Sequence, residues 1–338
     1  MNDLFPLPGQ PRNVEWPTTQ WSYAPRVSRD DDAFDRHADA LFSLTADQGV
    51  TYALLVVQRG QLIYERYAAG ANNFYLQYSW SMAKSITQAL VGIAVRQGRI
   101  DVHAPAAVAE WQRSDDPRRA ITLDQLLKMR SGLQFAENYV DGVVSDVIPM
   151  LNFEGRFDMG AFAAAKPLAH APDTFFSYSS GTTNIICRIL REIIGGPTEM
   201  LAFMTDELFE PIGMRTPVPK FDRSGTFVGS SYCLASPQDF ARFGYLYSRG
   251  GIWDGRRILP EGWVDYARAP SYVSATEAYG AHWWLTPGTM RFYAGGYDGQ
   301  RILIMPEQDL VVVRCGRTPV AEAPFLWKQI DSMAELLE

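Results

Sequence analysis

The period of the hydrophobic pattern changes several times along the chain, and each change marks an element. Thr51 to Gly70, TYALLVVQRGQLIYERYAAG, holds two runs rich in β-branched and aromatic residues, broken at Arg59-Gly60, and predicts a β-hairpin. A helix is expected before it, around Phe34 to Leu44. From Ser81 the period lengthens: Ile86, Leu90, Ile93 and Ala94 recur at helical spacing and Gly98 ends the run, so a long buried helix follows the hairpin. Thr122 and Gln125 have capping-box spacing for a short helix ending at Ser131-Gly132. Gly181 opens GTTNIICRILREIIGG, whose isoleucines and leucine form one apolar face stopped by Gly195-Gly196-Pro197. Ser236-Pro237 caps a further helix. Strands return in QRILIMP and DLVVVRCG, and FLWKQIDSMAELLE predicts a C-terminal helix.

Strands near both chain ends with helices between them predict an α+β fold: an antiparallel β-sheet flanked by helices, with an inserted helical region. The expected division is an N-terminal arm over 1–30, a sheet domain from 31–80 and 226–338, and a mainly helical region over 81–225. Pro6, Pro8, Pro11, Pro17 and Pro25 keep the arm irregular.

Composition narrows the function. Among 338 residues, 31 basic against 38 acidic give a net charge of −7, which offers nucleic acid or an anionic membrane no general footing. No stretch approaches the roughly eighteen apolar residues of a membrane span. The N-terminus shows no basic segment followed by an apolar one, so a cytoplasmic protein is expected. Cys187, Cys233 and Cys315 lie far apart in apolar surroundings and read as buried reduced thiols, with no metal-ligand spacing and no cofactor motif. The expected partner is a small-molecule ester or amide, and a homodimer is the assembly to test.

The chemistry concentrates in Tyr78 to Ser85, YSWSMAKS. A serine hydroxyl needs a base to become a nucleophile. No G-x-S-x-G is present, and His37, His103, His170 and His282 sit in ordinary polar or turn contexts, so a histidine-based triad is not supported. Ser81 and Lys84 are three residues apart, which on a helix puts both on one face. Of the five lysines only Lys84 has a serine at that spacing. Burial among apolar neighbours would depress its pKa toward the range of a useful base, and a helix beginning at Ser81 would favour negative charge there. Tyr178, in FFSYSSGTTN, leads into a helix and could shuttle the serine's proton.

Together, SMAKS, Tyr178-Ser179-Ser180 and YAGGYDGQRILIMPEQDLVVV resemble the serine β-lactamase and penicillin-binding protein superfamily from about Thr51 onward. LLKMRSGLQFAENY and PDTFFSYSSG are similar to the 6-aminohexanoate-dimer hydrolase branch, near the class C β-lactamases and family VIII carboxylesterases. The resemblance implies Ser81 as nucleophile, Lys84 as its base and Tyr178 as proton relay. It further implies backbone N–H groups of Ser81 and Tyr297 as the oxyanion hole, and Tyr139 and Ser180 on the substrate. Two departures matter: Ser180 replaces the asparagine of Tyr-x-Asn, and Ala294-Gly295-Gly296 stands where lactamases carry Lys-Thr-Gly. The lost lysine removes a carboxylate partner, while Gly295 and Gly296 let a strand approach the substrate. Trp80, Tyr139, Trp283 and Trp284 would suit an apolar group. A small ester or amide is therefore the expected substrate. A 6-aminohexanoate oligomer, a β-lactam or D-amino-acid peptide, and a non-catalytic binding role are the alternatives.

Overall fold

The computed structural model describes residues 4–140 and 142–338. Helix α1 (Asp31–Phe42) precedes the hairpin β1 (Val50–Gln58) and β2 (Gln61–Tyr67), and α2 (Met82–Arg96) follows it. Arg59 and Gly60 both take positive φ, as the right-handed twist of a two-residue hairpin requires.

The helical region holds α3 (Leu123–Leu127), α4 (Val147–Asn152), α5 (Met159–Ala164), α6 (Ser180–Ile194) and α7 (Pro197–Met204). The capping box at Thr122 and Gln125 forms, but α3 closes before Ser131, with Met129 at φ +56°. Two short ribbons, β3 (Val218–Pro219) with β4 (Cys233–Leu234) and β5 (Ile252–Trp253) with β6 (Arg256–Arg257), bracket α8 (Pro237–Ser248). After α9 (Trp263–Arg268) come β7 (Tyr272–Val273), β8 (Ala278–Tyr279), β9 (Trp284–Leu285), β10 (Phe292–Gly296), β11 (Gln300–Met305) and β12 (Leu310–Arg317), then α10 (Ala323–Leu336).

One eight-stranded antiparallel sheet runs β2-β1-β12-β11-β10-β9-β8-β7. Its central strands read as unbroken apolar runs because both faces are covered. Ala53, Leu55 and Val57 of β1 join the large core with α2 and α8, whereas Leu54 and Val56 join a smaller core under α1 and α10. Every residue of α2 from Met82 to Ala94 is buried, so this helix runs through the interior between sheet and helical region.

The described residues of the arm form no helix and lie along the sheet edge: Leu62 of β2 donates to Ser22 O at 2.8 Å and Ala24 donates to Leu62 O at 3.2 Å. Edge groups of β2 that would otherwise face water are thereby paired. No helix among the described residues is long and apolar enough to cross a membrane.

Candidate active site

The backbone just before α2 is strained. Trp80 has φ +43°, a conformation that a bulky L-residue adopts at a cost of about 1–3 kcal/mol, and Ser81 then begins the helix at φ −66°. Aromatic packing holds the turn in place: the Trp80 ring stacks on Tyr78 at 5.5 Å and meets Tyr232 at 5.7 Å and Tyr297 at 5.8 Å.

The three serines of this segment separate by their bonds. Ser79 is buried, donating to Ser231 O at 3.2 Å and accepting from Cys233 N at 3.0 Å. Ser85 donates to His282 O at 2.8 Å. Ser81 alone meets a titratable side chain of its own helix, with its Oγ 3.0 Å from Lys84 Nζ.

Lys84 is 1 % exposed, and its ammonium has three acceptors: Ser81 Oγ, Ser180 Oγ at 3.0 Å and Ser230 O at 2.9 Å. Burial drives its pKa from 10.5 down to about 8, against the opposing attraction of Glu137. Once the amine is neutral, two N–H bonds remain for Ser180 and Ser230, and its lone pair can accept the Ser81 proton.

Glu137 was not among the residues expected from sequence. One of its carboxylate oxygens accepts from the Ser180 hydroxyl at 2.5 Å and from the Tyr139 hydroxyl at 2.8 Å, and the other accepts from Ser180 N at 2.8 Å. That amide opens α6, so the carboxylate satisfies a free N–H at the positive end of the helix. With its hydroxyl proton given to Glu137, Ser180 offers lone pairs to Lys84. Ser180, expected to touch substrate, is instead fully buried between the lysine and the glutamate.

Tyr178 is half-buried, its ring centroid 4.8 Å from Lys84 Nζ and 5.1 Å from the Trp284 ring. Burial and the charge of Glu137 raise its phenol well above the ordinary value, and a hydrogen bond with Ser81 only partly opposes this. The phenol therefore stays protonated near neutrality and serves as a donor. His282 is no rival base: Nδ1 meets Leu127 O at 2.7 Å, Nε2 meets Thr183 Oγ1 at 3.0 Å, and burial pushes its pKa down to about 3.

These groups border a cleft of about 270 Å3, lined by Ser81, Tyr139, Tyr178, Trp284, Gly295, Gly296 and Tyr297 among others. Strand β9 pairs with β10 only at Phe292 and Tyr293, so residues 294–296 have no strand on that side. A Cβ on Gly296 would lie 2.4 Å from Ser79 O, and this close approach is what seats Tyr297 beside the start of α2. Tyr139 is 40 % exposed, with its ring 5.3 Å from that of Tyr297. Trp283 belongs elsewhere: it is fully buried in the core, 4.4 Å from the Tyr247 ring. A larger groove of about 940 Å3 lies between residues 105–109 and α6, and its Arg188 is already paired with Glu110 at 2.6 Å. The three cysteines are buried and free, and among the described residues no cluster of His, Cys, Asp and Glu is arranged to hold a metal.

An antiparallel sheet bearing a Ser-x-x-Lys helix and a tyrosine turn beside it defines the β-lactamase and transpeptidase class of folds. The beta-lactamase family model matches residues 38–330, and the chain belongs to that family. It is 23 % identical to the 6-aminohexanoate-dimer hydrolase of Paenarthrobacter ureafaciens, over 92 % of this chain and 89 % of that one. A Bacillus anthracis protein provisionally assigned as a 6-aminohexanoate-dimer hydrolase superposes with TM-score 0.78 at 22 % identity, over 98 % of this chain and 90 % of that one. A family VIII carboxylesterase superposes with TM-score 0.67 at 14 % identity, over 93 % and 99 %. At these identities the structural likeness establishes the fold, and the activities named belong to those proteins.

Proposed function

We propose that the protein is a serine hydrolase that opens small esters or amides through an acyl-enzyme. The observation that carries this reading is the buried Lys84, whose Nζ stands 3.0 Å from Ser81 Oγ. Neutral Lys84 takes the hydroxyl proton as Ser81 attacks the carbonyl carbon. The oxyanion is held by the N–H groups of Ser81 and Tyr297, the first at the start of α2 and the second directly after β10. Tyr178 gives its proton to the departing alcohol or amine and is reprotonated by Lys84, which carries the proton taken from Ser81. Water then reverses the sequence and frees the acid.

Esters come first, because their leaving groups depart more readily than amines. The similarity to 6-aminohexanoate-dimer hydrolases favours linear amides of that type as the second reading. A β-lactam or peptide substrate ranks below both, since Ala294-Gly295-Gly296 lacks the lysine of Lys-Thr-Gly. Turnover of p-nitrophenyl butyrate by wild type and by Ser81→Ala, with mass-spectrometric mapping of a fluorophosphonate adduct, tests the proposal. Wild type is expected to hydrolyse the ester and to carry the adduct on Ser81. Equal turnover by both proteins would refute the nucleophile, and absence of both turnover and labelling would favour a binding role for the fold.

A further inference from the structure

Tyr297, the second donor of the oxyanion hole, sits on an exposed turn. With Asp298 and Gly299 it forms the tip between β10 and β11, whose last paired residues are Gly296 and Gln300, and its own side chain is 42 % exposed. Asp298 and Gly299 both take positive φ, at +61° and +77°, a conformation that only the glycine adopts freely. Neither Ser81 N nor Tyr297 N donates to a protein acceptor among the described residues, so both are left for a ligand. An exposed and strained tip keeps one orientation only when something beneath it fixes its main chain.

Arg314 of β12 lies under this turn, fully buried. Its Nη1 donates to Asp298 O at 3.0 Å and to Gly299 O at 3.1 Å. Nη2 donates to Val50 O at 2.9 Å and Thr318 Oγ1 at 2.7 Å, and Nε donates to Thr51 Oγ1 at 3.2 Å. One end of the fork thus grips the tip, and the other grips the start of β1 and the residue after β12. The remaining carbonyl of the tip, Tyr297 O, accepts from Gln300 Nε2 at 3.3 Å. A Cβ on Gly316 would fall 2.3 Å from Nη2, so this glycine is what admits the guanidinium. All the hydrogen bonds of Arg314 go to uncharged oxygens, and burial lowers its pKa to about 10, which leaves a cation at neutral pH. A buried cation without a carboxylate is a poor way to gain stability, whereas a planar fork on two successive carbonyls is a good way to fix a turn.

We propose that Arg314 is the positioning residue of the oxyanion hole: it fixes the carbonyls of Asp298 and Gly299 and so holds the Tyr297 N–H in the direction an oxyanion needs. This rests on the hydrolase reading above. Arg314 touches no substrate and acts through the turn. A donor already aligned needs no reorganisation as charge develops on the carbonyl oxygen, and a donor free to swing loses most of that advantage. The effect of Arg314 therefore falls on the transition state rather than on binding of the ester.

The test compares wild type, Arg314→Met and Arg314→Lys on p-nitrophenyl butyrate, with rates expressed per site titrated to completion by a fluorophosphonate. The inhibition constant of butylboronic acid, which forms a tetrahedral adduct on a reactive serine, is measured beside them. Arg314→Met is expected to lower kcat per titrated site by about a hundredfold, the order lost with one oxyanion donor, while KM changes less than about threefold. Its boronate affinity should fall by a similar factor, and the midpoint of its pH profile should stay near 8 because no group bonded to Lys84 is altered. Arg314→Lys keeps the charge without the fork; it should lose about tenfold in both measures, and it carries the test where the methionine variant does not fold. Wild-type kcat per titrated site in these variants, whatever their melting temperature, would overturn the proposal, since that marks a role in packing alone. So would a lowered kcat accompanied by wild-type boronate affinity or by a displaced pH midpoint. No turnover by wild type together with no labelling of Ser81 would instead remove the hydrolase reading, and this one with it.

Discussion

The pH dependence of acylation gives the sharpest test of Lys84 as base. Burial takes its pKa from 10.5 to about 8, so roughly a tenth of the lysine is neutral at pH 7. At the ordinary value only about one molecule in three thousand would be. The burial therefore multiplies the competent fraction by roughly 300. For a p-nitrophenyl ester, kcat/KM corrected for spontaneous hydrolysis should rise about tenfold per pH unit below 7 and level off above about 8. Glu137 attracts the protonated amine and opposes the depression, so Glu137→Gln should move the midpoint below that of wild type. The same displacement acts on stability. Between the folded and unfolded values the unfolded chain binds the extra proton, so wild type should gain stability relative to Lys84→Met as pH rises from 8 to 10.5. The gain is of order 3 kcal/mol, and the full penalty is present below pH 8. A flat rate profile, or one still climbing past pH 10, would refute the base assignment.

Three further substitutions probe the surrounding machinery. Tyr178→Phe should depress turnover of alkyl esters or amides by about a hundredfold or more but affect p-nitrophenyl esters far less, because p-nitrophenolate departs without a proton. Ser180→Ala removes one acceptor of Lys84 and one donor to Glu137, and should lower kcat/KM by about tenfold and stability by about 1–3 kcal/mol, read by steady-state kinetics and urea unfolding. Gly296→Ala places a methyl group 2.4 Å from Ser79 O, and should lower both the melting temperature and kcat while leaving secondary structure by circular dichroism intact.

What the sequence disclosed and what it hid divide along chain distance. The Ser81–Lys84 pair was legible because one helical turn brings the two together, and the hairpin and α2 were legible because their periods persist over many residues. The alternating fill of β1 between two cores accounts for its unbroken hydrophobicity. Glu137 was not legible: it reaches Ser180 across 43 residues, and no local pattern marks a carboxylate that will meet a helix start in space. The Ser230 carbonyl that completes the lysine's coordination is a main-chain group, invisible to any reading of side chains. Strands β7, β8 and β9 have two residues each, too few to show a period. Trp283 and Trp284 are neighbours with the same composition and opposite fates, one facing the core and the other the cleft, and only the direction of the backbone separates them.

The order of the sheet also bears on how the molecule is made. Val57 of β1 pairs with Val311 of β12, so the middle of the sheet joins strands from opposite parts of the chain. During synthesis the first hairpin emerges early and must wait, with the edge of β1 that takes β12 unpaired, until nearly the whole polypeptide has left the ribosome. Its slowest and most aggregation-exposed stage therefore falls before β12 arrives. A nascent chain halted short of residue 310 should call on chaperones far more than one halted after residue 317.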